Sequence, residues 1–239
     1  MGYKTEDIDY FIEGEGPNIL FLHGWGQNKN SFKEISFYLR KKYTCILLDL
    51  PGFGKSKVPE KLMTIDDYGD LINDFILKNN LKIHAIIGHS FGGKVATNYC
   101  LRYNGHAKLI LCSPSIIKPI RGPIYYGKVG LYKLGKKIPK LKDLLESKLG
   151  SQDYKNANGI MKDILVSSVN TYYDKELNHI DNKTLIYWGI DDKTTPLYMG
   201  KKINKKISNS KIVTIEGNHF AYKTNKYHFL NHVEAFLDE

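Results

Sequence analysis

Ala85-Ile86-Ile87-Gly88-His89-Ser90-Phe91-Gly92-Gly93 is the stretch on which the fold turns. A short β-branched run enters it and a helical pattern over 92–103 leaves it. Between them, Gly88-x-Ser90-x-Gly92 is the spacing that sets a serine on a sharp strand-to-helix turn. The glycines have a physical reason. Ser90 must hold a strained backbone conformation to push its hydroxyl outward, and a Cβ at 88 or 92 would collide with the turn.

On either side of this elbow the same alternation continues. Runs of four to eight apolar residues at 8–12, 18–22, 44–48, 85–88, 108–111, 184–188 and 211–215 read as strands. Helical patterns at 31–41, 65–78, 92–103, 198–205 and 226–237 separate most of them. Most of the strand runs are continuously hydrophobic, as strands buried on both faces are. The expectation is an α/β fold whose mostly parallel sheet is flanked by crossover helices. Asp66, Asp67 and Asp70 open the second helix, where carboxylates complement the dipole.

The alternation stops over 114–180, which is rich in Lys, Leu and Tyr. Leu141, Leu144, Leu145 and Leu149 recur at helical spacing, and so do Ile160, Ile164 and Leu165. This segment divides the chain into a core of 1–113 and 181–239 and a helical insertion of 114–180. Inserted after the strand ending near Leu111, it should cover the carboxyl ends of the strands as a lid, where open α/β sheets bind ligands. Tyr125, Tyr126, Leu131 and Met161 are its candidates for an apolar pocket wall. Twelve of its residues are basic and six acidic, so it carries +6 of the chain's +10. Lys118, Arg121, Lys128, Lys133, Lys136, Lys137, Lys140 and Lys142 fall within 25 positions that hold no acid.

At 239 residues the chain is long enough for a sizeable core, and 42% hydrophobic with 25% charged residues excludes an intrinsically disordered protein. No run approaches the roughly 20 apolar residues of a membrane span. The polar start, with Glu6, Asp7 and Asp9, does not read as a signal peptide. Cys45, Cys100 and Cys112 are odd in number and sit in apolar contexts without metal-type spacing. They suit buried free thiols in the cytoplasm. The positive charge comes with no zinc-ligand pattern or RNP-like motif, so nucleic acid is not the expected partner.

A serine hydroxyl needs a base to take its proton. Of eight histidines, His219 follows the strand at 211–215 on a loop that should emerge at the same edge as Ser90. His23 reads as structural, and His89 should face away from the cleft. An acid must then orient the imidazole. The loop after the strand at 184–188 supplies two candidates, Asp191 and Asp192, and no acid follows the strand ending at Leu111. Donors for the oxyanion are the N–H of Trp25, in His23-Gly24-Trp25-Gly26, and the N–H of Phe91.

With Ser90, the acid loop and His219 in this order, and with Asp49-Leu50-Pro51-Gly52-Phe53-Gly54-Lys55-Ser56 as a D-x-x-G-x-G-x-S turn, the chain resembles the small capped serine enzymes of the α/β-hydrolase fold superfamily. The resemblance spans His23 to His219. It implies that the acid is Asp192, three residues after Gly189 and ahead of Pro196, and that Asp49 is structural. Ser90 excludes the branches with an aspartate nucleophile. Only about 17 residues precede the strand leading to His23, fewer than the family's usual strand pair, so the first strand should be missing or very short.

The expected activity is hydrolysis of a carboxylic ester or thioester through Ser90, Asp192 and His219, with no metal and no cofactor. An acyltransferase, a carbon–carbon bond hydrolase and a non-catalytic ligand-binding protein are the alternatives. His23-Gly24-Trp25-Gly26-Gln27-Asn28 is similar to the carboxylesterases that cleave the methyl ester of a pimeloyl chain on acyl carrier protein. That similarity implies an acidic carrier protein as a possible partner of the basic lid.

Overall fold

The computed structural model describes residues 3–103, 106–123, 127, 129–130 and 151–239. Seven strands, β1 (Tyr10–Glu13), β2 (Asn18–Leu22), β3 (Thr44–Leu48), β4 (Ile83–His89), β5 (Lys108–Cys112), β6 (Thr184–Gly189) and β7 (Ser210–Ile215), form one sheet. Their order is β1-β3-β2-β4-β5-β6-β7. The edge strand β1 runs antiparallel to β3, with Tyr10 opposite Leu48, and every other pair is parallel. The first strand is therefore present, and short. Strand order reverses between β2 and β4, since β3 lies on the far side of β2. A crevice opens at such a switch point, outside the carboxyl ends of the strands.

Side chains alternate across the sheet and so build two apolar layers. Leu20, Ile46, Ile86, Leu109 and Ile186 face α2 (Ile65–Lys78) and α3 (Phe91–Tyr103). Ile19, Leu47, Ile87, Ile110 and Leu185 face α1 (Lys33–Leu39) and, later in the chain, Phe229, Val233 and Phe236. All these strand residues are fully buried, and each such side chain contributes roughly 1.5–3 kcal/mol. Helix α2 starts where Thr64 and Asp67 exchange side-chain-to-backbone hydrogen bonds, a capping box written with Asp. Cys45, Cys100 and Cys112 are buried free thiols.

The connection from β5 to β6 includes α4 (Gln152–Asn156) and α5 (Ile160–Val169). Met161, Ile164 and Leu165 of α5 bury themselves in the same apolar layer as α2 and α3. Met161, expected at a pocket wall, packs where a Cβ on Gly52 would meet its thioether. Leu141, Leu144, Leu145, Leu149, Tyr125, Tyr126, Leu131 and the bases Lys128, Lys133, Lys136, Lys137, Lys140 and Lys142 lie outside the described residues. The chain closes with α6 (Leu197–Lys206), α7 (Ala221–Thr224) and α8 (Lys226–Asp238). Among the described residues no helix is long and apolar enough to cross a membrane.

Candidate active site

Ser90 directly follows β4 at the switch point, half-buried, with φ +49°. That left-handed value is what a nucleophile elbow requires of its serine. The turn is crowded on all sides. A Cβ on Gly92 would run into the carbonyls of Leu22 and His23, and one on Gly88 would lie 2.7 Å from the Gly92 oxygen. The Ser90 N–H donates to the Cys112 carbonyl at 3.0 Å, and the Ser90 carbonyl accepts from Lys94 N–H at 3.0 Å. These bonds tie the elbow both to β5 and to the first turn of α3.

Asp192 follows β6 by three residues and is buried. Its Oδ1 accepts from the N–H groups of Thr194 at 2.8 Å and Thr195 at 2.9 Å. Its Oδ2 accepts from the Thr195 hydroxyl at 2.8 Å and from His219 Nδ1 at 2.7 Å. Burial raises the pKa of this carboxyl, but the hydrogen bond and charge of His219 and the two Thr195 donors outweigh it, holding it below the ordinary value. A carboxylate only accepts, so the proton of the neutral His219 ring is on Nδ1 and its Nε2 carries a lone pair. Asp191 is exposed and turns elsewhere, its Oδ2 accepting from Gly217 N–H at 3.3 Å. The structure thus brings Asp192 and His219 together and leaves Asp191 outside the pair.

His89, expected to face away from the cleft, is fully buried. Its ring lies behind His219, with centroids 4.8 Å apart. Because a carbonyl cannot donate, His89 Nε2–H donates to the His219 carbonyl at 3.0 Å. Its Nδ1 then accepts from Gln27 Nε2 at 3.4 Å. Complete burial, helped by the nearby His219, pushes its pKa down to about 3, so it stays neutral. Through His89, the residue before Ser90, the elbow and the His219 loop share one rim.

His23 is structural, as read. Nδ1–H donates to the Gly24 carbonyl at 2.8 Å and Nε2 accepts from Leu50 N–H at 3.0 Å, which ties the loop after β2 to the loop after β3. Burial holds it neutral by pushing its pKa down to about 4. Asp49 is structural too, accepting from the N–H groups of Lys29 at 2.6 Å and Lys55 at 2.8 Å. A Cβ on Gly54 would strike its carboxylate. Trp25 stands on the loop after β2, its ring edge-on to Phe53 and Phe91 at 4.8 and 5.3 Å. Phe91 is the first residue of α3, where N–H groups have no partner within the helix. The reading of the sequence missed Thr195. Its signal is the hydroxyl-bearing Thr194-Thr195 pair between the acid and Pro196.

Comparison with known proteins identifies the family. The family model described as alpha/beta hydrolase fold matches residues 17–151, more than half of the chain. A 2-hydroxy-6-oxononadienedioate/2-hydroxy-6-oxononatrienedioate hydrolase of Comamonas testosteroni is 27% identical over 80% of this chain and 76% of its own length. The pimeloyl-[acyl-carrier protein] methyl ester esterase of Chromobacterium violaceum is 28% identical over 46% of this chain and 44% of its own. Among solved structures, an esterase from Exiguobacterium antarcticum superposes with a TM-score of 0.77 at 20% identity, covering 97% of this chain and 96% of that one. The sheet with its single antiparallel edge and the family match agree: this chain belongs to the alpha/beta hydrolase fold family, and it is a hydrolase of that fold.

Proposed function

We propose that the chain is a serine hydrolase that cleaves a carboxylic ester or thioester by way of an acyl-enzyme. Ser90 attacks the carbonyl carbon while His219 Nε2 takes the hydroxyl proton. Asp192 holds the imidazole in the Nδ1–H tautomer and stabilises the imidazolium. The N–H groups of Trp25 and Phe91 donate to the developing oxyanion; each such donor is worth about 2.7–4 kcal/mol in the transition state. The imidazolium returns the proton to the leaving alcohol or thiol, and water, activated by His219, releases the acid from Ser90. The segment 114–180 acts as the lid.

The observation that carries this reading is the 2.7 Å bond from His219 Nδ1 to a buried carboxylate, beside an elbow whose serine holds φ +49°. A fluorophosphonate probe tests it. Wild-type protein should be labelled and Ser90→Ala should not; labelling that survives the substitution overturns it.

The same three residues would serve a carbon–carbon bond hydrolase, in which the leaving group is a carbanion equivalent in place of an alcohol. The Comamonas testosteroni relative favours this second reading, since its match covers most of the chain. For the partner we propose an acidic carrier protein, on the strength of the eight bases over 118–142 and the Chromobacterium violaceum relative. A panel of esters and thioesters of graded acyl length, free and carried on acyl carrier protein, separates these substrates from one another and from a vinylogous diketone substrate.

A further inference from the structure

Asp192 Oδ2 is shared by two donors. His219 Nδ1 approaches at 2.7 Å and the Thr195 hydroxyl at 2.8 Å, and the hydroxyl oxygen itself lies 3.2 Å from that same Nδ1. The three polar groups form a closed triangle in a buried pocket, with the Ser113 carbonyl a further 3.4 Å neighbour of the hydroxyl. With the proton of the hydroxyl on Oδ2, its oxygen is left to accept from His219 Nδ1–H, so the imidazole proton is held by two acceptors.

The turn that carries Asp192 is held without the Thr195 hydroxyl. Thr194 and Thr195 N–H bind Oδ1, the Trp188 indole N–H donates to the Thr195 carbonyl at 2.8 Å, and Asp192 N–H closes on Gly189. A valine at 195 keeps every one of these bonds. The hydroxyl is therefore surplus to the turn; besides its 3.4 Å approach to the Ser113 carbonyl, it acts on the oxygen that faces His219.

We propose that Thr195 is a positioning residue of the hydrolytic site, whose hydroxyl fixes Asp192 Oδ2 toward the imidazole and draws off part of its basicity. This rests on the serine-hydrolase reading. With the hydroxyl present, Oδ2 divides its charge between two donors and attracts the His219 proton less. The imidazolium is then less stabilised, so Nε2 becomes free as a base at lower pH. Without it, Oδ2 concentrates on His219 and the free base appears at higher pH. The other titratable groups near the pair are His89 at the end of β4, which burial keeps neutral, and Asp153 of α4, whose charge reaches His219 through space; Asp191 and Lys193, on the acid's own loop, are exposed. None of them changes when the hydroxyl is removed.

The experiment compares wild type, Thr195→Val and Thr195→Ser for kcat and KM across pH on one activated ester. The acid limb of kcat/KM should move up by about half to one pH unit in Thr195→Val. Its plateau kcat should fall several-fold with KM unchanged, and Thr195→Ser should restore both. A Thr195→Val profile superimposable on wild type overturns the proposal, and so does a serine variant that behaves like valine. Should the valine variant fold poorly, proton NMR of the wild type decides: an exchange-protected Thr195 hydroxyl proton with a cross-peak to His219 Nδ1–H is expected, and its absence overturns the role. Ser90→Ala is run alongside. Turnover surviving in that variant refutes the serine reading, whereas a dead Ser90→Ala beside an unshifted Thr195→Val refutes Thr195 alone.

Discussion

His89 Nε2 lies 3.0 Å from the carbonyl oxygen of His219, a bond that reaches across 130 residues to join the elbow to the loop after β7. The donor is a neutral imidazole, kept so by burial that pushes its pKa down to about 3. The bond fixes the main chain of His219, and with it the direction of the ring that meets Asp192. Misplacing a reacting group by about 1 Å can cost on the order of 100-fold in rate. His89→Ala should therefore lose about 10- to 100-fold in kcat on an activated ester with little change in KM. A kcat within twofold of wild type, in a variant with a native circular dichroism spectrum, removes this role from His89.

Asp191 and Asp192 differ in what they touch. Asp192 has four donors on its two oxygens, one of them His219, whereas exposed Asp191 has a Gly217 N–H at 3.3 Å. Replacing a carboxylate by an amide in a serine-protease triad lowers kcat about 10⁴-fold because it favours the wrong tautomer. Asp192→Asn should lose on the order of 10³- to 10⁴-fold in kcat for the same reason. Asp191→Asn should stay within a few-fold of wild type. The opposite ordering would assign the acid to Asp191.

How much of this was legible in the sequence depended on the range of the interactions involved. The inner parallel strands were readable because a strand buried on both faces is a continuous apolar run, as in Thr44–Leu48 and Thr184–Gly189. The expected helix at 31–41 begins later, at Lys33. Asn28 Oδ1 accepts from Asn30 N–H at 3.0 Å and winds residues 29–32 into a 3-10 turn first. The four-residue α7 directly after His219 was invisible, since a single turn has no period to read. Within the site, Ser90 and His219 were legible from their place after a strand. Nothing local says that consecutive carboxylates at 191 and 192 turn opposite ways, and it took the family resemblance to choose between them. His89 and Thr195 were missed because each acts through a contact made only by the folded chain.

Gly92 of the elbow and Gly26 of the loop after β2 have unequal roles, and stability should sort them. At Gly92 the atoms in the way are the main-chain carbonyls of Leu22 and His23, which cannot move without distorting β2. Gly92→Ala should cost about 3 kcal/mol and lower Tm by roughly 6–12 °C. Gly26, unlike Gly92, has a left-handed φ, +69°, but a Cβ there meets nothing within 4 Å. Gly26→Ala should cost only the conformational penalty of about 1–2 kcal/mol. Calorimetry of the two variants checks the difference, and equal Tm losses would remove the steric account of Gly92.

Lys94, one turn into α3, is buried with both of its hydrogen-bonded partners main-chain carbonyls. Nζ donates to Ser168 O at 2.5 Å and Thr171 O at 2.9 Å, at the carboxyl end of α5. The ring of Tyr172 lies 5.5 Å away. Burial pushes the ammonium pKa down to about 7, while an unfolded chain holds that proton to about 10.4. Between those values the unfolded state binds more protons than the folded one, so stability must rise with pH across the window. Below pH 7 both states are protonated and the full penalty of the buried charge is present. Over about 7 to 8, before buried cysteines and then tyrosines enter with the opposite sign, one group can contribute a slope of up to about 1.4 kcal/mol per pH unit. Lys94→Met removes the titration and takes one donor from each carbonyl, Ser168 O keeping the Thr171 N–H at 3.1 Å. The difference in unfolding free energy, wild type minus variant, should therefore be smallest near pH 6.5 and grow toward pH 9. Urea melts of both proteins at half-unit steps measure it, and a difference that stays flat over this range would mean that Lys94 keeps its proton in both states.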